Sequence, residues 1–101
     1  MFPRGRPKKS RIIRDIGKIS QFSPRGRPGR PDEAYLTLDM VEALRLVDFK
    51  GLSQKEAAKS MGISQQTLSR ILKHGHNTVA DALVNGKLIR IHGGNFEYKS
   101  E

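Results

Sequence analysis

The sequence has no cysteine and no tryptophan. The missing cysteines exclude disulfide scaffolds, thiolate metal sites and cysteine nucleophiles together, and they fit a reducing cytoplasm. Aromatic residues make up 6% of the chain, too few to build a base-stacking platform. No apolar run approaches the ~20 residues a membrane-spanning helix needs. No apolar stretch follows the basic N-terminus, as it would in a secretory leader. A chain of 101 residues has room for one small domain, which excludes barrels and two-lobed enzymes. Hydrophobic content of 36% is low and predicts that part of the chain lies outside a packed core.

Carboxylates are scarce in one place. Residues 1–31 hold ten lysines and arginines against Asp15 alone, which accounts for the whole net charge of +9. Residues 32–101 carry nine basic and nine acidic side chains. All five prolines, Pro3, Pro7, Pro24, Pro28 and Pro31, also fall in the first third. This division predicts a basic, extended or disordered arm over 1–31, a folded body over 32–94 and a flexible tail over 95–101.

The arm contains a repeat. Pro3-Arg4-Gly5-Arg6-Pro7 recurs as Pro24-Arg25-Gly26-Arg27-Pro28, with a partial copy at Gly29-Arg30-Pro31. Pro-Arg-Gly-Arg-Pro resembles the core of the AT-hook, a minor-groove-binding peptide. Proline keeps such a segment extended and glycine lets the backbone approach the groove floor. The arginines can then follow the narrow A·T minor groove, where negative potential is strongest. Arg4, Gly5, Arg6, Arg25, Gly26 and Arg27 are the candidate arm contacts, with Lys8 and Lys9 reaching phosphates. The alternative is an arm that binds any polyanion by counterion release, without base preference. Between the copies, Ile12, Ile13, Ile16 and Ile19 are too many for a purely disordered arm; they predict a short strand or docking on the body.

Three helix signals follow. Met40, Ala43, Leu44 and Val47 recur at helical spacing over 38–49, with Thr37 as N-cap, Asp39 in the first turn and Gly51 as the stop. Ser53-Gln54-Lys55-Glu56 is a capping box that opens a second helix through Ala57, Ala58 and Met61, which Gly62 ends. The third helix starts at Ser64. Ile63 and Leu68 form a hydrophobic staple across that start, and Leu68, Ile71 and Leu72 face inward. Ala58, Gly62, Ile63, Leu68 and Ile71 fall at the spacings of a helix-turn-helix, where a small residue lets two helices touch and a glycine takes the awkward turn angle. Lys73-His74-Gly75-His76-Asn77 are poor helix formers, but Leu68, Leu72, Val79 and Leu83 keep one face, which predicts a continuous helix. Leu88–His92 reads as a strand closed by Gly93-Gly94. Its partner is either the isoleucine-rich part of the arm or a second subunit.

A wider resemblance rests on these residues. Leu36-Thr37-Leu38-Asp39, Glu42 to Leu46, Gly51-Leu52-Ser53-Gln54, Glu56-Ala57-Ala58, Met61-Gly62-Ile63-Ser64, Val79 to Lys87 and Gly93-Gly94 resemble an uncharacterised prokaryotic family of predicted DNA-binding proteins. Its helix-turn-helix is similar to sigma-factor region 4. The resemblance covers about residues 35–94. It extends to the arm, where Phe22-Ser23-Pro24-Arg25-Gly26-Arg27-Pro28 matches a Phe-x-Pro-x-Gly-x-Pro segment of the family. It implies a mainly α, region-4-like domain of three to four helices with a short C-terminal strand and an extended arm. It also implies DNA binding and a regulatory role.

A recognition helix lays its N-terminal residues on base edges. Gln65, Gln66, Ser69 and Arg70 are therefore the candidate base contacts, since Gln pairs with adenine and Arg with guanine. Ser53, Gln54, Lys55 and Lys73 are the candidate phosphate contacts. His74 and His76 lie two apart on a helix and face different sides; with His92 distant, no metal site is expected. No nucleophile–base set or paired carboxylates can be assembled, so neither an enzyme nor a cofactor is expected. The leading expectation is a transcription regulator of the cytoplasm and nucleoid that binds double-stranded DNA, with the choice between a monomer and a homodimer on a two-fold site left open. Two others stand beside it: a module that docks on RNA polymerase or an activator, and an A·T-preferring nucleoid protein.

Overall fold

The helical spacing over 38–49 winds as expected, in a computed structural model that describes residues 10–26 and 29–100. Helix α1 spans Leu38–Leu44, and Arg45–Phe49 continue it as one wider turn, in which the Lys50 N–H bonds the Arg45 carbonyl at 2.8 Å. Thr37 stands at the N-cap in extended conformation, but its side chain makes no capping bond. Helix α2 spans Gln54–Met61, opened by both halves of the Ser53–Glu56 capping box. Helix α3 spans Gln65–Asn85 without interruption. Gly75 is buried within it against Met40 and Leu44 of α1. The poor helix formers at 73–77 are carried by this packing, since tertiary contact supplies most helical stability. No helix among the described residues is long and apolar enough to cross a membrane.

The fold class is a correction. A mainly α helix-turn-helix domain with one C-terminal strand and an extended arm was the expectation; the described residues instead form an α/β unit with three helices and five strands in two small sheets. Strands β1 (Arg11–Ile13) and β5 (Phe96–Tyr98) pair in parallel, joining the arm to the tail. Strand β4 (Leu88–Ile91) lies between β2 (Gln21–Phe22), antiparallel to it, and β3 (Glu33–Leu36), parallel to it. The helices form the crossover between β3 and β4, as a parallel pair requires. Both edges of β4 are occupied, so that strand cannot pair with a second subunit. The isoleucine-rich segment does form a strand, but on β5 rather than on β4. Ile13 is fully buried against α1 and α2. Among the described residues of the arm, Ile13 thus joins the core and Ile12 is half-buried, and the reason is burial: an isoleucine gains about 1.5–3 kcal/mol on full transfer to apolar surroundings.

The helical core joins Ala43, Leu46, Ala57, Ala58, Met61, Leu68, Ile71 and Leu72, with Ile63 packed at its margin. Ala58, Leu68 and Ile71 are buried as their spacing required. Gly62 ends α2 at φ 67°. A Cβ there would sit 3.2 Å from Ile12 Cδ1. Gly62→Ala therefore combines a left-handed alanine with crowding of β1, and should cost about 1–2 kcal/mol in urea unfolding, most of it from the backbone angle. A neutral substitution would mean that the turn relaxes to another conformation.

One ion pair crosses the β3–β4 register. Arg90 Nη2 and Nε donate to the two oxygens of Glu33 at 3.0 and 3.2 Å, and the Tyr35 hydroxyl donates to the same carboxylate at 2.8 Å. The Arg90 bonds, then the Tyr35 bond, hold Glu33 down at about 2 from an ordinary 4.5. A depressed carboxylate stabilises the fold above its unfolded value and loses that contribution as pH falls toward its folded value. The stability difference between the wild type and Glu33→Gln should therefore be constant at neutral pH and shrink between pH 4.5 and 2. A difference that does not change over that window would mean that the pair is open in solution.

Candidate nucleic-acid interface

The N-terminal half of helix α3 presents a polar stripe. Ser64 caps it: its Oγ accepts the Thr67 N–H at 3.1 Å. Leu68, Ile71 and Leu72 turn inward, which leaves Gln65, Gln66, Ser69, Arg70 and Lys73 exposed on the opposite side. Gln66, Ser69, Arg70 and Lys73 fall three and four apart, on one face. Among the described residues, none of these five side chains is spent on a cap or an ion pair that holds the fold.

The start of α2 is differently equipped. Lys55 is exposed and Gln54 half-buried. Ser53 Oγ is committed to the Glu56 N–H at 3.0 Å, and the Glu56 carboxylate accepts the Ser53 N–H at the same distance. The Ser53 backbone N–H first, and the Ser53 hydroxyl second, hold the Glu56 carboxyl below its ordinary value. A fixed carboxylate therefore occupies the helix end that would otherwise attract phosphate.

Three contributors to the α3 face come from the chain termini and were not singled out in the sequence. Thr67, Arg70 and His74 form one wall of a cleft whose other walls include Arg11 and Asn95. Ser10 donates to Asn95 Oδ1 at 3.3 Å, so the basic N-terminal segment joins the body at the rim of this cleft. The floor holds buried Asp39, 3.9 Å from Arg11 Nε. Gly94 lies directly on it at φ 104°; a Cβ there would stand 2.6 Å from Asp39 Oδ1 and 2.8 Å from Thr37 Cβ. Only glycine brings the loop before β5 this close, and that approach sets Asn95 beside α3.

The two arm repeats are treated differently. Arg4, Gly5, Arg6, Lys8 and Lys9 of the first copy, and Arg27 of the second, lie outside the described residues. Arg25 and Gly26 are exposed. The preceding Pro24 packs near Ala82, Leu83 and Lys87 at the C-terminal end of α3. That is roughly 25–30 Å along the helix axis from Gln65, so the structure does not bring Arg25 and Gly26 to the polar stripe. The histidines separate as their spacing implied: His74 lines the polar cleft, His76 bonds Asp48 at 2.7 Å on another side, and the His92 ring meets Tyr35 edge-on at 5.7 Å. Among the described residues no group of three or more His, Asp or Glu is placed to hold a metal ion.

The chain is 46% identical over 91 residues to the "UPF0251 protein" of Prosthecochloris aestuarii, which covers 89% of this chain and 59% of that protein. A "UPF0251 protein" of Desulforudis audaxviator is 47% identical over 95 residues, 93% of this chain and 62% of its own. One from Methanococcus vannielii is 46% identical over 99 residues, covering 97% and 76%. The chain thus spans about three fifths of the length of the first two relatives. No solved structure matches it. The profile described as "Protein of unknown function DUF134" matches residues 1–99, and the chain belongs to that family.

Proposed function

We propose that this protein binds double-stranded DNA, reading bases in the major groove with the N-terminal half of α3, and that it regulates transcription. The basic segment before Ser10 adds affinity through phosphates and the adjacent minor groove. One observation carries the reading. The exposed stripe of α3 and the attachment point of a strongly basic segment lie on the same side of the body, meeting at the cleft of Arg70, His74, Arg11 and Asn95. In this arrangement Gln65, Gln66, Ser69 and Arg70 meet base edges, and Lys73 and Lys55 meet phosphates. The protein acts by binding rather than by catalysis, in the compartment that holds the chromosome.

Selection from a randomised duplex library at near-physiological salt tests this. A defined motif should be recovered by the wild type and, more weakly, by a variant carrying Arg4→Ala, Arg6→Ala, Lys8→Ala and Lys9→Ala. Recovery of A·T runs by the wild type alone, with nothing from the variant, would place all binding in the arm and overturn the α3 reading. On a fixed duplex, the log–log salt slope of the variant should be shallower by about 3–4, since each lost phosphate contact removes about 0.9. An unchanged slope would remove the arm from the interface.

A further inference from the structure

Toward the C-terminal end of α3, beyond the polar stripe, the molecule leaves an apolar face uncovered. An open groove of about 740 Å³ runs between α1 and the C-terminal half of α3, walled by Val41, Leu44, Val79, Ala80 and Leu83. Phe49 stands at its edge, 86% exposed, and Leu83 and Val84 are 77% and 82% exposed. A second depression, beside Phe22 and Pro24, shares Leu83 with the first. The exposed Leu83 side chain therefore links the depression beside Phe22 to the groove beside Phe49. Monomeric proteins rarely leave a patch of several hundred Å² open to water.

We propose that this face is a two-fold interface between two copies of the chain, with Phe49 of each seated in the groove of the other. A two-fold contact places the same patch on both sides, so the patch must carry its own protrusion and its own recess. Phe49 and the groove are such a pair, and they adjoin. The area is of the right order: the exposed parts of Phe49, Leu83 and Phe22 alone amount to roughly 400 Å² before the groove walls are added, against about 800 Å² per partner in a standard interface. Asp48, His76, Asp15 and Arg45 stand around the groove and supply the polar rim that such interfaces carry. Self-pairing through β4, the route the sequence suggested, is closed because β2 and β3 occupy both its edges.

The dimer does not depend on DNA binding, but it has a consequence for that reading. The face uses α3 beyond His76 and leaves 65–74 free. Gln66 lies about 25 Å along the helix from Leu83. Two helices that meet near Leu83 hold their N-terminal halves tens of ångströms apart, the scale of the ~34 Å between successive major-groove half-sites.

Sedimentation equilibrium of the full chain without DNA, over roughly 1 to 100 μM, tests the interface. The wild type should reach twice the 11.3 kDa chain mass. Phe49→Glu and Leu83→Glu should each raise the dissociation constant at least ~100-fold with helical circular dichroism unchanged, while Gln66→Ala should remain dimeric. The wild-type melting temperature should rise with concentration, and that of the two interface variants should not. A monomeric wild type throughout the range would overturn the proposal and leave the groove to another occupant. A dimer indifferent to both substitutions would also overturn it, as would loss of helicity in both variants, which would make these side chains part of the monomer's fold. Failure of the duplex selection would leave these results standing, so the two readings fail separately.

Discussion

Glu42→Ala should lower the unfolding free energy by about 3–5 kcal/mol, the range for removing one partner from a buried ion pair. Glu42 is 1% exposed in the middle of α1. Arg45 Nε and Nη2 donate to its two oxygens at 2.9 Å each, and the Arg14 backbone N–H donates to Oε2 at 3.0 Å. Alanine removes the carboxylate from a guanidinium whose side chain is only 19% exposed, and takes the acceptor from a backbone donor that follows β1. In a domain whose total stability is about 5–15 kcal/mol, this is a large share, equivalent to a fall of more than about 15 °C in melting temperature. Glu42→Gln keeps the shape and one acceptor, so it should cost less, about 2 kcal/mol. Urea unfolding of the three proteins decides the matter. A cost under about 1 kcal/mol for alanine would mean that water reaches the site and the pair is not buried in solution. The damage should not be confined to α1. Arg14 ties the arm to the helices here and through its guanidinium, which donates to the Ser60 carbonyl at 3.3 Å. Loosening Glu42 therefore loosens β1, and with it the point from which the basic segment leaves the body.

The helices were legible because their signals are local. The Ser53 box needs four consecutive residues, and Gly62 declares its φ by being glycine between two apolar runs. Of the strands, β4 was legible, read as Leu88–His92 and found as Leu88–Ile91; β1, β2 and β5 were not, because they are two or three residues long and carry no measurable alternation. Their partners are distant: Arg11 pairs with Phe96 and Gln21 with Arg90. Four isoleucines in a basic arm were the only trace of this, enough to predict docking but not its place. Glu42 and Arg45 look like an ordinary surface pair three apart on a helix; what buries them is the arm crossing over, which no helical period records. Leu83 shows the reverse. Its period with Leu68, Leu72 and Val79 placed it on the inner face, yet it is 77% exposed, because the buried face of α3 runs through Leu68, Ile71, Gly75 and Ala82 and leaves Leu83 at its edge. At the candidate interface, Gln65, Gln66, Ser69, Arg70 and Lys73 were legible as the complement of the apolar face. Arg11 and Asn95 come from opposite ends of the chain and meet His74 only through the β1–β5 pairing.

Gln66→Ala and Arg70→Ala should together weaken binding to the selected duplex by about 10²–10⁴-fold, since each well-placed base contact is worth about 1–3 kcal/mol. The two substitutions separate readout from attraction. Glutamine carries no charge, so Gln66→Ala should relax preference at one base pair and leave the salt slope and the affinity for unrelated DNA unchanged. Arg70 is charged and lines the cleft beside Arg11. If it reads a guanine, Arg70→Ala relaxes a second position of the motif; if it holds a phosphate, the substitution weakens all duplexes alike and reduces the slope by about 1. Both side chains are exposed, so neither substitution should change folding stability by more than about 0.5 kcal/mol, and any loss of binding belongs to the interface. Equal binding by the double variant and the wild type, on the selected duplex at the same salt, would remove α3 from DNA recognition. The α3 stripe would then have to serve a protein surface, and the basic segment before Ser10 would carry any remaining affinity for nucleic acid.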